Sequence, residues 1–191
     1  THKHVGMIRE DRFSLETKAR PAPRLREFRR AQWRILFSLM FCYLFYYTAR
    51  QNWGWVVKAL HDDLGLTLVE TGTIAGAMLA AYGIGQFING GIGDMFGSRV
   101  MISAGAVLST VLSWITGLGH SFYSILIPWA ANGYVQSFGW APGCRLISRW
   151  WPKDERGKAY GYYLLAAGFS SVLTFGLCIL TLQYLSWKWV F

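Results

Sequence analysis

Five long apolar stretches separated by short polar breaks constrain this sequence more than any other feature. They fall at residues 35–60, 68–92, 100–118, 122–146 and 159–185. About 20 predominantly apolar residues in helical conformation cross a hydrocarbon core about 30 Å thick. A barrel strand instead needs about ten residues of strict alternation, which these runs do not show. Of the 191 residues, 53% are hydrophobic, 17% aromatic and only 15% charged, too apolar a mixture for an ordinary soluble domain. The expected fold class is therefore all-α, a polytopic membrane helix bundle, ordered throughout after Arg34. The first run begins well inside the chain and is too long for a signal-peptide core, so it should remain in the protein.

The formal charge is +9, an excess that suits either nucleic acid or a membrane surface. Its distribution favours the membrane. Residues 1–34 hold ten Lys and Arg against four acids, and the breaks at 93–99 and 149–158 carry most of the other cations. The break His61-Asp62-Asp63 is acidic, and Gly119-His120-Ser121 has no full charge. Short loops rich in Lys and Arg stay on the cytoplasmic side. The expected organisation is a basic cytoplasmic leader over 1–34, followed by a half-bundle over 35–191 with five spans and the start of a sixth, in the cell inner (plasma) membrane. The leader around Arg24 to Arg34 is expected to lie against anionic lipid. Membrane lipid is thus a partner and nucleic acid is not, and the odd number of spans reads as a piece of a larger bundle.

Ionisable residues at lipid depth are costly and ask for a reason. Arg50 lies deep in the first run and shares a helix face with Tyr43, Tyr47 and Gly54. A cation beside tyrosine hydroxyls can hold an anion; the other explanation is an ion pair, for which Asp94, at the far end of the second run, is the only acid close to a span interior. Gln86 and Asn89, with Asn132, Gln136 and Trp140, add donors that line a central cavity or bond helix to helix. Gly72, Gly76, Ala80 and Gly83 recur at helical spacing and read as a packing seam. Cys42, Cys144 and Cys178 lie far apart in apolar surroundings and read as small buried hydrophobes. No cluster has metal-ligand spacing, no nucleophile, base and acid fall in one region, and the pairs Asp62-Asp63 and Asp154-Glu155 read as solvated loop acids. No catalytic residue, metal or cofactor is expected.

Three segments carry a resemblance: Tyr46-Tyr47-Thr48-Ala49-Arg50-Gln51-Asn52; Gly90-Gly91-Ile92-Gly93-Asp94-Met95-Phe96-Gly97-Ser98-Arg99; and Gly139-Trp140-Ala141-Pro142-Gly143-Cys144-Arg145 with Trp150-Trp151 and Glu155-Arg156-Gly157. Over residues 33–191 the chain resembles the amino-terminal half of a major facilitator superfamily transporter, closest to the organophosphate:phosphate antiporters. That resemblance implies a secondary transporter that exchanges an organophosphate, such as a sugar phosphate or glycerol phosphate, for inorganic phosphate by alternating access. It implies Arg50 as the phosphate ligand, with Tyr43, Tyr47, Gln86, Gln136 and Trp140 around it, and a carboxy-terminal half that completes the site. Asp94, Gly97, Arg99, Glu155 and Arg156 match the gating and structural loops, while Met95 replaces a usual basic residue. Gln51 and Gln86 stand where lysines are common in that family, and Ala167 where one branch has a histidine. An anion:cation symporter for sugar acids or other carboxylates, and a membrane sugar-phosphate sensor, are the alternatives.

Overall fold

The computed structural model describes residues 22–191, which form six α-helices and one 3-10 turn and, among the described residues, no strand. The helices are α1 (Ala22–Gln51), α2 (Trp53–Leu64), α3 (Leu68–Phe96), α4 (Ser98–Gly117), α5 (Phe122–Trp150) and α6 (Arg156–Tyr184), with the 3-10 turn at Trp187–Val190. Most of the basic leader, residues 1–21, lies outside the described residues, and its later part is the opening of α1. The described residues divide into two compact units, one up to Phe37 and one from Ser38 to Phe191. In the first, Trp33 and Phe37 pack ring against ring at 5.8 Å, one helical turn apart.

In the second unit α5 is the hub, packed along α3 on one side and α4 on the other. Small residues permit this approach, but not the ones expected. Among the described residues, Gly72, Gly76 and Gly83 face open space, so no helix of this chain packs on the seam expected along α3. The close contacts come from Gly133, whose α-carbon sits against the Met78 carbonyl, from Gly85 against Ser137, and from Gly105 against the Tyr46 hydroxyl. All are positions where any side chain meets a neighbouring helix. Glycine counted along a sequence marks helix faces, but which face is covered depends on the neighbour.

Buried polar groups fasten the same interfaces. Ser109 Oγ donates to Asn132 Oδ1 at 2.7 Å, Asn132 Nδ2 donates to Ser113 Oγ at 3.3 Å, and Gln136 Nε2 donates to Ser109 Oγ at 3.2 Å, joining α4 to α5. Between α3 and α5, Asn89 Nδ2 donates to Ser137 Oγ at 2.6 Å and Asn89 Oδ1 accepts from the Tyr134 hydroxyl at 3.2 Å. Because these side chains are buried, each such pair satisfies a desolvated donor and acceptor together.

Helix ends depart from the expected breaks. Between α3 and α4 the seven-residue break shrinks to Gly97, whose φ of +81° only glycine adopts without strain. The first break moves from residues 61–63 to 65–67, because Gly65 (φ +66°) closes α2 and a Thr67/Glu70 capping box opens α3. The first expected span is two helices: α1 stops at Gln51, and Asn52 turns to donate from Nδ2 to the Val190 carbonyl at 2.8 Å. Among the described residues, α3, α4 and α6 are long and apolar enough to cross a membrane. In α5, a buried polar face that includes Asn132 and Gln136 lowers the apolar content.

One end of the bundle holds a core of Trp53, Val56, Leu60, Leu66, Ile74, Met78, Ile125, Trp129 and Trp187. Trp53 stacks on Trp129 at 5.2 Å, and Phe191 meets Trp129 edge-on at 5.3 Å. Trp187 Nε1 donates to Asp63 Oδ2 at 2.8 Å, so Asp63 is not the purely solvated acid expected from its neighbourhood. Cys178 is buried, whereas Cys42 and Cys144 are only half-buried.

Candidate anion-binding site

The end of α1 brings Arg50 into the bundle. Thr48 Oγ1 donates back to the Leu44 carbonyl at 3.0 Å, a bond that bends helices, and α1 ends one residue beyond Arg50. Arg50 therefore occupies the last turn, where exposed carbonyls carry partial negative charge and favour a cation. Two rings add to this. The guanidinium carbon lies 4.2 Å from the Tyr47 ring centre and 4.8 Å from that of Tyr82 on α3. Ring faces attract cations by about 0.5–2 kcal/mol, more when water is excluded. No carboxylate pairs with Arg50 among the described residues, so a helix end and two π faces hold a positive charge whose hydrogen-bond donors remain to be used.

A chain of aromatic contacts extends from it. Tyr43 donates its hydroxyl hydrogen to the Tyr47 oxygen at 3.4 Å, and the two rings meet edge to face at 4.9 Å. Tyr43 also packs on Tyr163 of α6 at 4.2 Å and on Trp140 of α5 at 5.9 Å. Trp140 and Tyr163 stack within 7° of parallel, and the Tyr163 hydroxyl donates to the Gly139 carbonyl at 3.1 Å. Arg50, Tyr47, Tyr43, Tyr163 and Trp140 are thus one connected wall across three helices. Gln86 lies one turn along α3 from Tyr82, and its Nε2 is buried without a hydrogen-bond partner among the described residues. Gln136 differs from these: it is 3% exposed, bonded to Ser109 in the α4–α5 interface, and no contact joins it to Arg50.

A cleft of about 200 Å³ lies elsewhere, between α1 and α4, lined among others by Phe41, Phe45, Tyr46, Ala49 and Ala106. Its hydroxyl at Ser109 is already bonded to Asn132. An anion needs donors, which this apolar cleft lacks and Arg50 supplies.

The loop residues divide. Gly97 makes the α3–α4 turn, Arg99 is exposed, and the Asp94 side chain lies outside what the structure describes. Arg156 donates from Nε to the Trp151 carbonyl at 3.0 Å and from Nη2 to the Ser148 carbonyl at 2.6 Å, closing the carboxyl end of α5. Glu155 precedes the first turn of α6 without a side-chain cap bond to that helix. Arg145 reaches back from α5 to donate to the Gly90 carbonyl at 2.8 Å, tying the same end of α3 to α5.

The sequence profile described as "Major Facilitator Superfamily" matches residues 39–191. The chain belongs to the major facilitator superfamily. This is a family of membrane transporters, not enzymes, and together with the apolar helices it makes the chain an integral membrane protein. As a major facilitator chain it is 27% identical to a "probable hexose phosphate transport protein" of Chlamydia muridarum over 81% of its length, and 30% identical to a "glycerol-3-phosphate transporter" of Haemophilus influenzae over 72%. A "membrane sensor protein" of Salmonella typhimurium is 27% identical over 65% of it. The chain spans about a third of the length of the curated relatives it matches: 34%, 32% and 29% respectively. Phe87, Phe169 and Val172 are exposed in this chain, as apolar side chains on the outside of a membrane-embedded helix are expected to be. Tyr82 and Tyr163 are the members of the Arg50 wall that sequence reasoning passed over. Tyr82 sits four residues before Gln86, a spacing that could have found it.

Proposed function

We propose that this chain forms one wall of a secondary transporter that takes up an organophosphate, a sugar phosphate or glycerol phosphate, in exchange for inorganic phosphate by alternating access. The observation that carries the reading is the Arg50 guanidinium at the end of α1, beside Tyr47 and Tyr82 and, among the described residues, without a carboxylate partner. Guanidinium presents a planar fork that matches two phosphate oxygens, and the bond strengthens where water is excluded. The hexose phosphate and glycerol-3-phosphate relatives support the same ligand class. In this reading the opposite wall comes from a second half-bundle, with the site near the midplane between the halves. The likeness to a membrane sensor favours one other reading, ligand binding without transport.

Flux separates the two. The complete protein in liposomes loaded with phosphate should accumulate labelled hexose 6-phosphate and should release phosphate in return. Saturable binding with no exchange would support the sensor instead.

The proposed orientation places the amino terminus and the 149–158 loop in the cytoplasm of a cell whose plasma membrane holds the protein, because cations dominate both. An impermeant thiol reagent applied to intact cells should label a cysteine at position 62 and spare one at position 153. Efficient labelling at position 153 would invert the topology.

A further inference from the structure

We propose that Tyr163 of α6 is a positioning residue for the anion site, holding the Arg50 guanidinium in place through Tyr43 and Tyr47. This role rests on the organophosphate reading of Arg50 and adds the residue, on another helix, that steadies it. An arginine side chain has many rotamers, and ordering it only when ligand arrives costs affinity, so a site gains by holding the fork beforehand. Tyr82 meets the guanidinium directly from α3. The other support runs along α1: the guanidinium carbon lies 4.2 Å from the Tyr47 ring centre, and the Tyr43 hydroxyl donates to that of Tyr47 at 3.4 Å. Tyr43 and Tyr47 share a helix with Arg50, so these rings take their position from what packs on them from outside α1. Tyr163 does this most closely, with its ring 4.2 Å from that of Tyr43, while Trp140 stands at 5.9 Å.

Tyr163 is itself anchored. It is fully buried, its hydroxyl donates to the Gly139 carbonyl at 3.1 Å, and its ring stacks on Trp140 at 5.5 Å. Gly143 leaves room for that hydroxyl, since a Cβ there would sit against it. In a close-packed interior a ring held at its face and at its hydroxyl cannot shift without moving its neighbours, so Tyr163 sets where Tyr43 stands. Simple packing of α6 on α5 is the competing account of these contacts, and Tyr160 separates the two. Its hydroxyl donates to the Cys144 carbonyl at 3.1 Å, a bond of the same kind between the same helices, and among the described residues it meets no ring of the Arg50 wall.

The test is calorimetry of the complete protein with glucose 6-phosphate, with melting temperatures recorded alongside. Tyr163→Leu should weaken binding by about tenfold, which is what losing one aromatic pair from the support amounts to. Tyr163→Phe keeps the ring on Tyr43 and should stay within about threefold of wild type. Tyr160→Phe should leave the affinity unchanged. In an Arg50→Lys background, Tyr163→Leu should cost no more than about twofold further, because residues that act through one guanidinium do not add. Should Tyr163→Leu fail to fold, Gly143→Ala, which displaces the Tyr163 hydroxyl and keeps the ring, takes its place in the same cycle with the same expected pattern. Wild-type affinity in the Tyr163→Leu protein, an equal loss in the Arg50 and Lys backgrounds, or a loss in Tyr160→Phe as large as that in Tyr163→Leu overturns the positioning role and leaves the organophosphate reading intact. Absence of glucose 6-phosphate binding by the wild-type protein removes that reading and the positioning role with it.

Discussion

Replacing Gly133 by alanine is expected to destabilise the bundle by about 3 kcal/mol, whereas the same change at Gly76 leaves it unchanged or slightly more stable. A Cβ at Gly133 would meet the Met78 carbonyl, a backbone group that cannot swing aside, so α3 and α5 must separate along the interface that organises the unit. At Gly76 an added Cβ meets nothing within 4 Å and gains the better helix propensity of alanine. Thermal unfolding of the complete protein in detergent reads both. A shared melting temperature for the two variants would mean that α3 and α5 do not meet through Gly133.

Arg50→Lys should weaken hexose phosphate binding by about 30-fold while the melting temperature changes little. Lysine keeps the charge but gives up the planar fork, losing one charge-assisted hydrogen bond, or about 2 kcal/mol. Its compact ammonium also stacks less well on Tyr47 and Tyr82 than a guanidinium does. An arginine present only to stabilise the helix end would tolerate the exchange, because lysine equally favours a helix carboxyl terminus. Titration calorimetry decides, and wild-type affinity in the variant would leave Arg50 without a role in the ligand.

Much of the helical frame was legible because crossing a membrane demands length and apolarity, which are one-dimensional properties. Helices cover nearly all of the five apolar runs, and the α4–α5 turn, at residues 118–121, contains the expected break at 119–121. What failed depended on contacts between distant residues. Nothing local to Asn52 announces that its side-chain amide will bond Val190, 138 residues away. Asp63 looks like a loop acid until Trp187, 124 residues away, donates to it. Gly72, Gly76 and Gly83 have the spacing of a seam and, among the described residues, no helix against them, while Gly133 and Gly105 carry the close approaches.

The same division holds at the site. Arg50, Tyr43 and Tyr47 share one helix, so periodicity alone aligned them, and Trp140 joins them through Tyr43. Gln136 satisfied the same polar-at-depth criterion, yet its partner is Ser109; a sequence states that a donor is present, not which acceptor reaches it. Tyr82 lies one turn before Gln86, but that its ring meets the Arg50 guanidinium is a contact between two helices, which the spacing alone does not state.

The structure of the complete protein with hexose 6-phosphate bound tests the central claim most directly. The account predicts phosphate oxygens within hydrogen-bond distance of the Arg50 guanidinium, with Gln86 Nε2 donating to one of them. A phosphate bound elsewhere, with Arg50 unchanged against Tyr47 and Tyr82 and no ligand atom near it, would contradict it.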